Sequence, residues 1–291
     1  MTIEDAIKRA KLLGQARLQR QETSEGVRLQ SAQTAALAEP SRAPARPVGT
    51  PVHFEPLQTA EISLAACEQF RVLLTESQHR EFPLADASYR LLRSRLQNRA
   101  KQNNWSSLAI ASPSQSDGKT ITSLNLAISI AREKQRPVYV LDLDMRNPSI
   151  CRFIGIQNIR PLPDYLLGLA KPEEVLVQTS LPNLVIAGTV NPVQNASELL
   201  ASPRFRELLT HIRLRSPDAV IIVDLPPVNL TDEAILVAPL VDAFLIVVSE
   251  GLTERKHLAQ ALDTLGEFTI AGVVVNRSSD GHSVGYKHYA A

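Results

Sequence analysis

Leu108-Ala-Ile-Ala-Ser-Pro-Ser-Gln-Ser-Asp-Gly-Lys-Thr-Ile-Thr-Ser-Leu-Asn-Leu-Ala127 is the stretch on which the reading of this chain turns. It begins as a short apolar run of strand length, passes through small polar residues, and becomes helical in its apolar spacing from Gly118-Lys119-Thr120 onward. A loop of this kind aims successive backbone N–H groups at an anion, at the positive end of the helix that follows. The lysine ammonium reaches the outer phosphates and the threonine hydroxyl can serve a Mg²⁺ ion. The expected phosphate cradle is Pro113, Ser114, Gln115, Ser116, Asp117, Gly118, Lys119, Thr120 and Ile121. It departs from the GxxxxGK[ST] pattern at its first glycine, whose place holds Pro113.

Working outward, Val138-Tyr-Val-Leu-Asp-Leu-Asp-Met-Arg-Asn-Pro148 is a second apolar run that leaves two carboxylates, Asp142 and Asp144, at its exit. Alternation along a strand sends both to one side, where they can face a metal and a γ-phosphate. A third acid, Asp224, ends the run in Ala219-Val-Ile-Ile-Val-Asp-Leu-Pro-Pro227. Further continuous runs at 184–187, 243–248 and 272–275 alternate with helical patterns at 120–132, 197–213, 232–240 and 255–268. Runs without polar alternation imply strands buried on both faces. The fold class is therefore α/β: a doubly wound, mostly parallel sheet with helices on both faces, built around a P-loop. Ligands of such sheets bind at the carboxyl ends of the strands, where all three acids lie.

The remainder of the chain is arranged around this domain, which is expected to span 61–280 with leading helices at 64–74 and 85–96. Residues 1–20 show apolar positions at helical spacing with cations opposite, which predicts either a fraying terminal helix or a docking helix for a partner or membrane surface. Residues 21–60, rich in Ala, Gln, Ser and Pro, bury too little to offset chain entropy and predict a disordered linker. Residues 281–291 form a polar, tyrosine-bearing tail.

Composition excludes several classes. With 31 Lys+Arg against 30 Asp+Glu among 291 residues the net charge is +1, so no global field recruits nucleic acid, and the basic residues lack interleaved aromatics. Two cysteines allow neither a disulfide framework nor a ligand cluster. No window reaches the ~20 apolar residues of a membrane span, and the N-terminus has no apolar signal core, which predicts a cytoplasmic protein. None of the histidines stands beside a Ser or Cys in a nucleophile motif.

These motifs resemble the Walker A, A′ and B segments of the bacterial tyrosine kinases of exopolysaccharide and capsule biosynthesis, within the MinD/ParA-like superfamily. They match at 112–120, 138–148 and 219–227, and the likeness runs from about residue 82 to residue 277. It is strongest to the kinases encoded beside exosortase-type loci. The partitioning ATPases carry a signature lysine five residues before the P-loop lysine; here that position is Ser114, which favours the kinase. The family's ExxRxxR assembly motif is matched by Arg90 and Arg93, with Ala87 in the acid's place and Asp86 beside it.

The resemblance implies an ATP- and Mg²⁺-dependent protein-tyrosine autokinase. Lys119 would neutralise phosphate charge, Thr120, Asp144 and Asp224 would serve the metal, and Asp142 would accept or orient the tyrosine proton. Tyr286 and Tyr289 would be the phosphate acceptors, and Asn276, by its place at the end of the last strand, is expected to touch adenine. It also implies self-association and a transmembrane polysaccharide co-polymerase or chain-length determinant as partner, placing the kinase at the inner membrane from the cytoplasmic side. The other readings are a MinD/ParA-like switch ATPase and a catalytically weak nucleotide-binding regulator of chain length.

Overall fold

The computed structural model describes residues 57–278. The expected N-terminal helix, residues 21–56 of the expected linker, and the tail with Tyr286 and Tyr289 lie outside them.

Eight strands form a single sheet: β1 (Gln58–Ala60), β2 (Ser107–Ala111), β3 (Val138–Asp142), β4 (Val177–Thr179), β5 (Leu184–Ala187), β6 (Val220–Asp224), β7 (Ala243–Ser249) and β8 (Ile270–Asn276). Their spatial order is β1-β4-β5-β3-β6-β2-β7-β8, and every neighbouring pair is parallel except β4–β5. Residues 58–60 correct the linker boundary, since they pair with β4 in parallel register. Three residues at a sheet edge, of which Ala60 packs against the core, are too few to leave a hydrophobic period to read.

Eleven α-helices are described: α1 (Leu64–Phe70), α2 (Glu76–Glu81), α3 (Pro83–Asn103), α4 (Lys119–Ala131), α5 (Ile150–Ile154), α6 (Leu162–Leu166), α7 (Pro172–Val175), α8 (Ala196–Ala201), α9 (Pro203–Arg215), α10 (Glu233–Val237) and α11 (Arg255–Thr264). Strand side chains alternate between two cores. Ala109, Tyr139, Leu141, Ile221, Val223, Phe244 and Ile246 pack toward α6, α8, α9, α10 and α11. Ile110, Val138, Val140, Ile222, Leu245 and Val247 pack toward α1, α3, α4 and α5. A fully buried Leu, Ile or Val contributes about 1.5–3 kcal/mol, so the two apolar layers hold the sheet rigid under the site.

Helix boundaries differ from the periodic pattern where local chemistry intervenes. The expected helix 197–213 is two, because Ser202 is extended (φ −68°, ψ 154°) and Pro203, which has no N–H, starts a new helix at its first position. The expected 64–74 helix stops at Phe70, where Arg71 turns left-handed at φ 58° and its N–H bonds the carbonyls of Cys67 and Glu68. The polar segment that follows forms α2, started by a capping box in which Gln78 N–H donates to Thr75 Oγ1 and Thr75 N–H donates to Gln78 Oε1. No helix among the described residues is long and apolar enough to cross a membrane.

Candidate functional site

The site is assembled by register. Asp142 and Asp224 are directly paired partners at the ends of β3 and β6, and Ile110 of β2 pairs with Asp224 on its other side. Both acids share strand parity with Val138, Val140 and Ile222, whose side chains face α4, so the carboxylates are directed toward the helix that opens at Gly118. Asp144 lies two residues on, in a turn where Asn147 N–H donates to its carbonyl at 3.0 Å and to its Oδ1 at 3.2 Å.

Lys119 occupies the centre. Its Nζ donates to Asp144 Oδ2 at 2.6 Å, lies 3.3 Å from Thr120 Oγ1 and 3.8 Å from Asp224 Oδ2. Thr120 Oγ1 donates to Asp224 Oδ2 at 2.7 Å and Ser123 Oγ to Asp224 Oδ1 at 2.9 Å. Asp142 Oδ2 accepts N–H bonds from Ser149 and Ile150, each 3.1 Å, while its Oδ1 is buried with no hydrogen-bond partner among the described residues. Asp142 and Asp224 are 0 % exposed. Burial first, and Asp224 second, push the Asp142 carboxyl up to about 8. Burial raises Asp224 as well, against the opposing pull of Lys119. Burial alone would lower Lys119, yet Asp224, Asp144 and Asp142 together outweigh it and the ammonium is held above its ordinary value. Asp224 acts through charge alone at 3.8 Å, Asp144 through both charge and a hydrogen bond at 2.6 Å.

The loop itself is a tight nest. Ser116 (φ 62°) and Gly118 (φ 95°) both adopt left-handed backbone. At Gly118 a Cβ would fall 1.9 Å from Asn276 Nδ2, so only glycine fits there. Ser112 and Pro113 are buried, Gln115 and Ser116 exposed. Asp117 directs its carboxylate into the protein, which leaves the loop backbone as the part that can face phosphate: Oδ2 accepts Ser114 N–H at 3.0 Å and Oδ1 accepts Thr253 Oγ1–H at 2.6 Å. Ile121 packs against the α4-side core. Asn276 donates to Asp117 O at 3.0 Å and accepts Arg277 N–H on its Oδ1 at 2.9 Å, which places it against the loop and leaves one amide hydrogen for a base.

Sequence reasoning passed over Ser123, which a helical step of four from Lys119 carries toward Asp224, and Thr253, whose link to Asp117 spans two distant loops. It also missed Glu233, a 0 % exposed glutamate at the start of α10.

No protein-family model matches the chain. Over 176 residues it is 30% identical to tyrosine-protein kinase CpsD of Streptococcus pneumoniae, a match that takes in 58% of this chain and 75% of that one. The chain belongs to the bacterial tyrosine kinase family. A second relative in that family, tyrosine-protein kinase CpsD of Streptococcus agalactiae serotype Ia, is 26% identical over 213 residues, 72% of this chain and 90% of its own length. The kinase domain of Escherichia coli tyrosine kinase ETK superposes with a TM-score of 0.61 at 28% identity, over 69% of this chain and 80% of that domain. In this bacterial tyrosine kinase Arg90, 61% exposed, pairs along its own helix, whereas Arg93 reaches the neighbouring helix α4. Arg90 pairs with Asp86 at 3.1 Å, and Arg93 bonds Ser129 O at 2.8 Å with Glu133 3.1 Å away.

Proposed function

We propose that this bacterial tyrosine kinase transfers the γ-phosphoryl group of ATP to tyrosine hydroxyls, its own tail first, in support of polysaccharide polymerisation or export. The observation that carries the reading is the buried constellation of Lys119, Thr120, Asp142, Asp144 and Asp224 at the strand ends. The donor set suits Mg²⁺. It offers hydroxyl and carboxylate oxygen only, and among the described residues no group of three His, Cys, Asp or Glu is arranged to hold a metal unaided. Magnesium is commonly held by one or two carboxylates plus substrate phosphate and water. Thr120 and Asp224 would hold it, with Asp144 in support once Lys119 turns to the phosphates. When bound, Mg²⁺ supplies charge neutralisation on the β and γ oxygens.

Asp142 supplies the base. Its Oδ2 is fixed by two N–H bonds and its Oδ1 has no partner among the described residues, which leaves one oxygen open to the tyrosine proton. The tyrosine O–H proton passes to that carboxylate as the oxygen–phosphorus bond forms and the bond to the ADP oxygen breaks. Lys119 is placed to leave Asp144 for the transferring phosphoryl oxygens.

The surroundings of the described tyrosines support the tail as acceptor. Of five tyrosines, Tyr139 and Tyr165 are 2% and 3% exposed, with hydroxyls bonded to Ser216 Oγ and Arg204 O. The Tyr89 hydroxyl is engaged by Asn125 and Thr122. Tyr286 and Tyr289 remain. The kinase acts in the cytoplasm at the inner membrane, self-associates, and works with a transmembrane chain-length determinant protein. Incubation with Mg-ATP followed by mass-spectrometric peptide mapping should find phosphate on Tyr286 and Tyr289. ATP turned over to free phosphate with no phosphotyrosine would overturn the reading in favour of a switch ATPase.

A further inference from the structure

Glu233 is a costly residue to keep. Its side chain is 1% exposed, Oε1 accepts Arg146 Nε–H at 2.9 Å, and Oε2 is buried with no hydrogen-bond partner among the described residues. A buried carboxylate with a bare oxygen is costly to a fold, and here Arg146 and the first turn of α10 are what offset it. The partner arginine explains its place. Arg146 lies inside the turn 144–147, closed by Asn147 N–H to Asp144 O, and its Nη2 reaches Ser197 Oγ at 3.3 Å. Ser197 in turn donates to Asp232 Oδ1 at 2.6 Å, and Val193 N–H holds Met145 O at 2.8 Å. The turn that carries Asp144 is thus anchored from outside by α8 and α10, through one guanidinium.

We propose that Glu233 is a positioning residue for phosphoryl transfer. Through Arg146 it fixes the turn 144–147, and thereby the Asp144 carboxylate that lies 2.6 Å from Lys119. The carboxylate is needed because a charge-assisted bond holds a guanidinium's orientation where a neutral amide lets it drift. The proposal rests on the nucleotide reading above, and its test separates the two.

Glu233→Gln in the full chain preserves volume and removes the charge. The thermal midpoint should be unchanged or higher and KM for ATP should stay within about twofold, while kcat falls about tenfold or more. Equilibrium binding of a fluorescent ADP analogue, which involves no turnover, should need several-fold more Mg²⁺ for half-saturation. Arg146, 46% exposed, can be replaced without emptying the core. Arg146→Gln should reproduce these effects, and the double variant should be no worse than either single one. Additive losses in the double variant, or a Glu233→Gln protein with parental kcat and parental Mg²⁺ response, would overturn the proposal. If the parent binds nucleotide but transfers nothing to tyrosine, the kinase reading falls, and the Mg²⁺ response of nucleotide binding still decides the role of Glu233.

Discussion

Replacing Lys119 with methionine keeps most of the side chain's length and deletes the ammonium that faces Asp144 and Asp224. Loss of one preorganised electrostatic partner in a dry site costs roughly 10²–10³ in rate. Lys119→Met should therefore lower phosphotyrosine formation by at least about 10²-fold in a quenched-flow or blot assay. Asp142 provides a second test, through pH. Its folded carboxyl is raised to about 8, so the folded state binds this proton more tightly than the unfolded chain, whose carboxyl titrates near 3.9. The contribution to stability falls as pH rises from the unfolded value to about 8 and is level above it. In nucleotide- and metal-free protein, Asp142→Asn should raise the thermal midpoint well above the parent's near pH ~9 and much less near pH ~5. Parallel melting curves at both pH values would contradict the assignment. These residues were legible in the sequence because their chemistry is local: a lysine at a helix start and acids at strand ends. Ser123, Thr253 and Glu233 were not, since each acts on a group brought to it only by the folded sheet.

Among the elements, the P-loop is held by more than its own turn. Thr253, between β7 and α11, accepts Ser249 N–H at 2.7 Å and donates to Asp117 Oδ1, while Asn276 at the end of β8 bonds the Asp117 carbonyl. Thr253→Val keeps the shape and strands two polar groups, one of them the carboxylate of 3% exposed Asp117. A buried group left unpaired costs about 1–3 kcal/mol, so the variant should be destabilised by that order in denaturant unfolding. Because the loop loosens while Lys119 and the acids remain, KM for ATP should rise more than kcat falls, and Thr253→Ser should restore both. Unaltered kinetics with reduced stability would mean the link serves the fold alone. Asp117 shows why such a link escapes sequence reading: nothing in the linear pattern turns its side chain toward a threonine on another strand's loop. The split at Ser202 and Pro203 is the opposite case, where a rule about proline outranked the apolar period.

Across the whole molecule, non-alternating apolar runs made the doubly wound sheet legible, because a strand buried on both faces has no polar side to show. The strands β1 and β4 were invisible because three residues are too few to show a period, although Val177 of β4 is fully buried in the α4-side core. Both faces must open for the domain to unfold, and the two cysteines can report whether they open together. Cys67 on α1 and Cys151 on α5 are free, buried and part of the α4-side core. Burial pushes their thiols up to about 11 and about 12, so neither reacts while folded. Labelling by a thiol reagent under native conditions should then follow the open population, and the two sites should react at one common rate if α1 belongs to the cooperative unit. A nucleotide that binds only the folded state should slow both equally, by about 100-fold at 100 times its Kd. Faster labelling of Cys67, insensitive to nucleotide, would show instead that the segment leading into the domain opens on its own while the site stays intact.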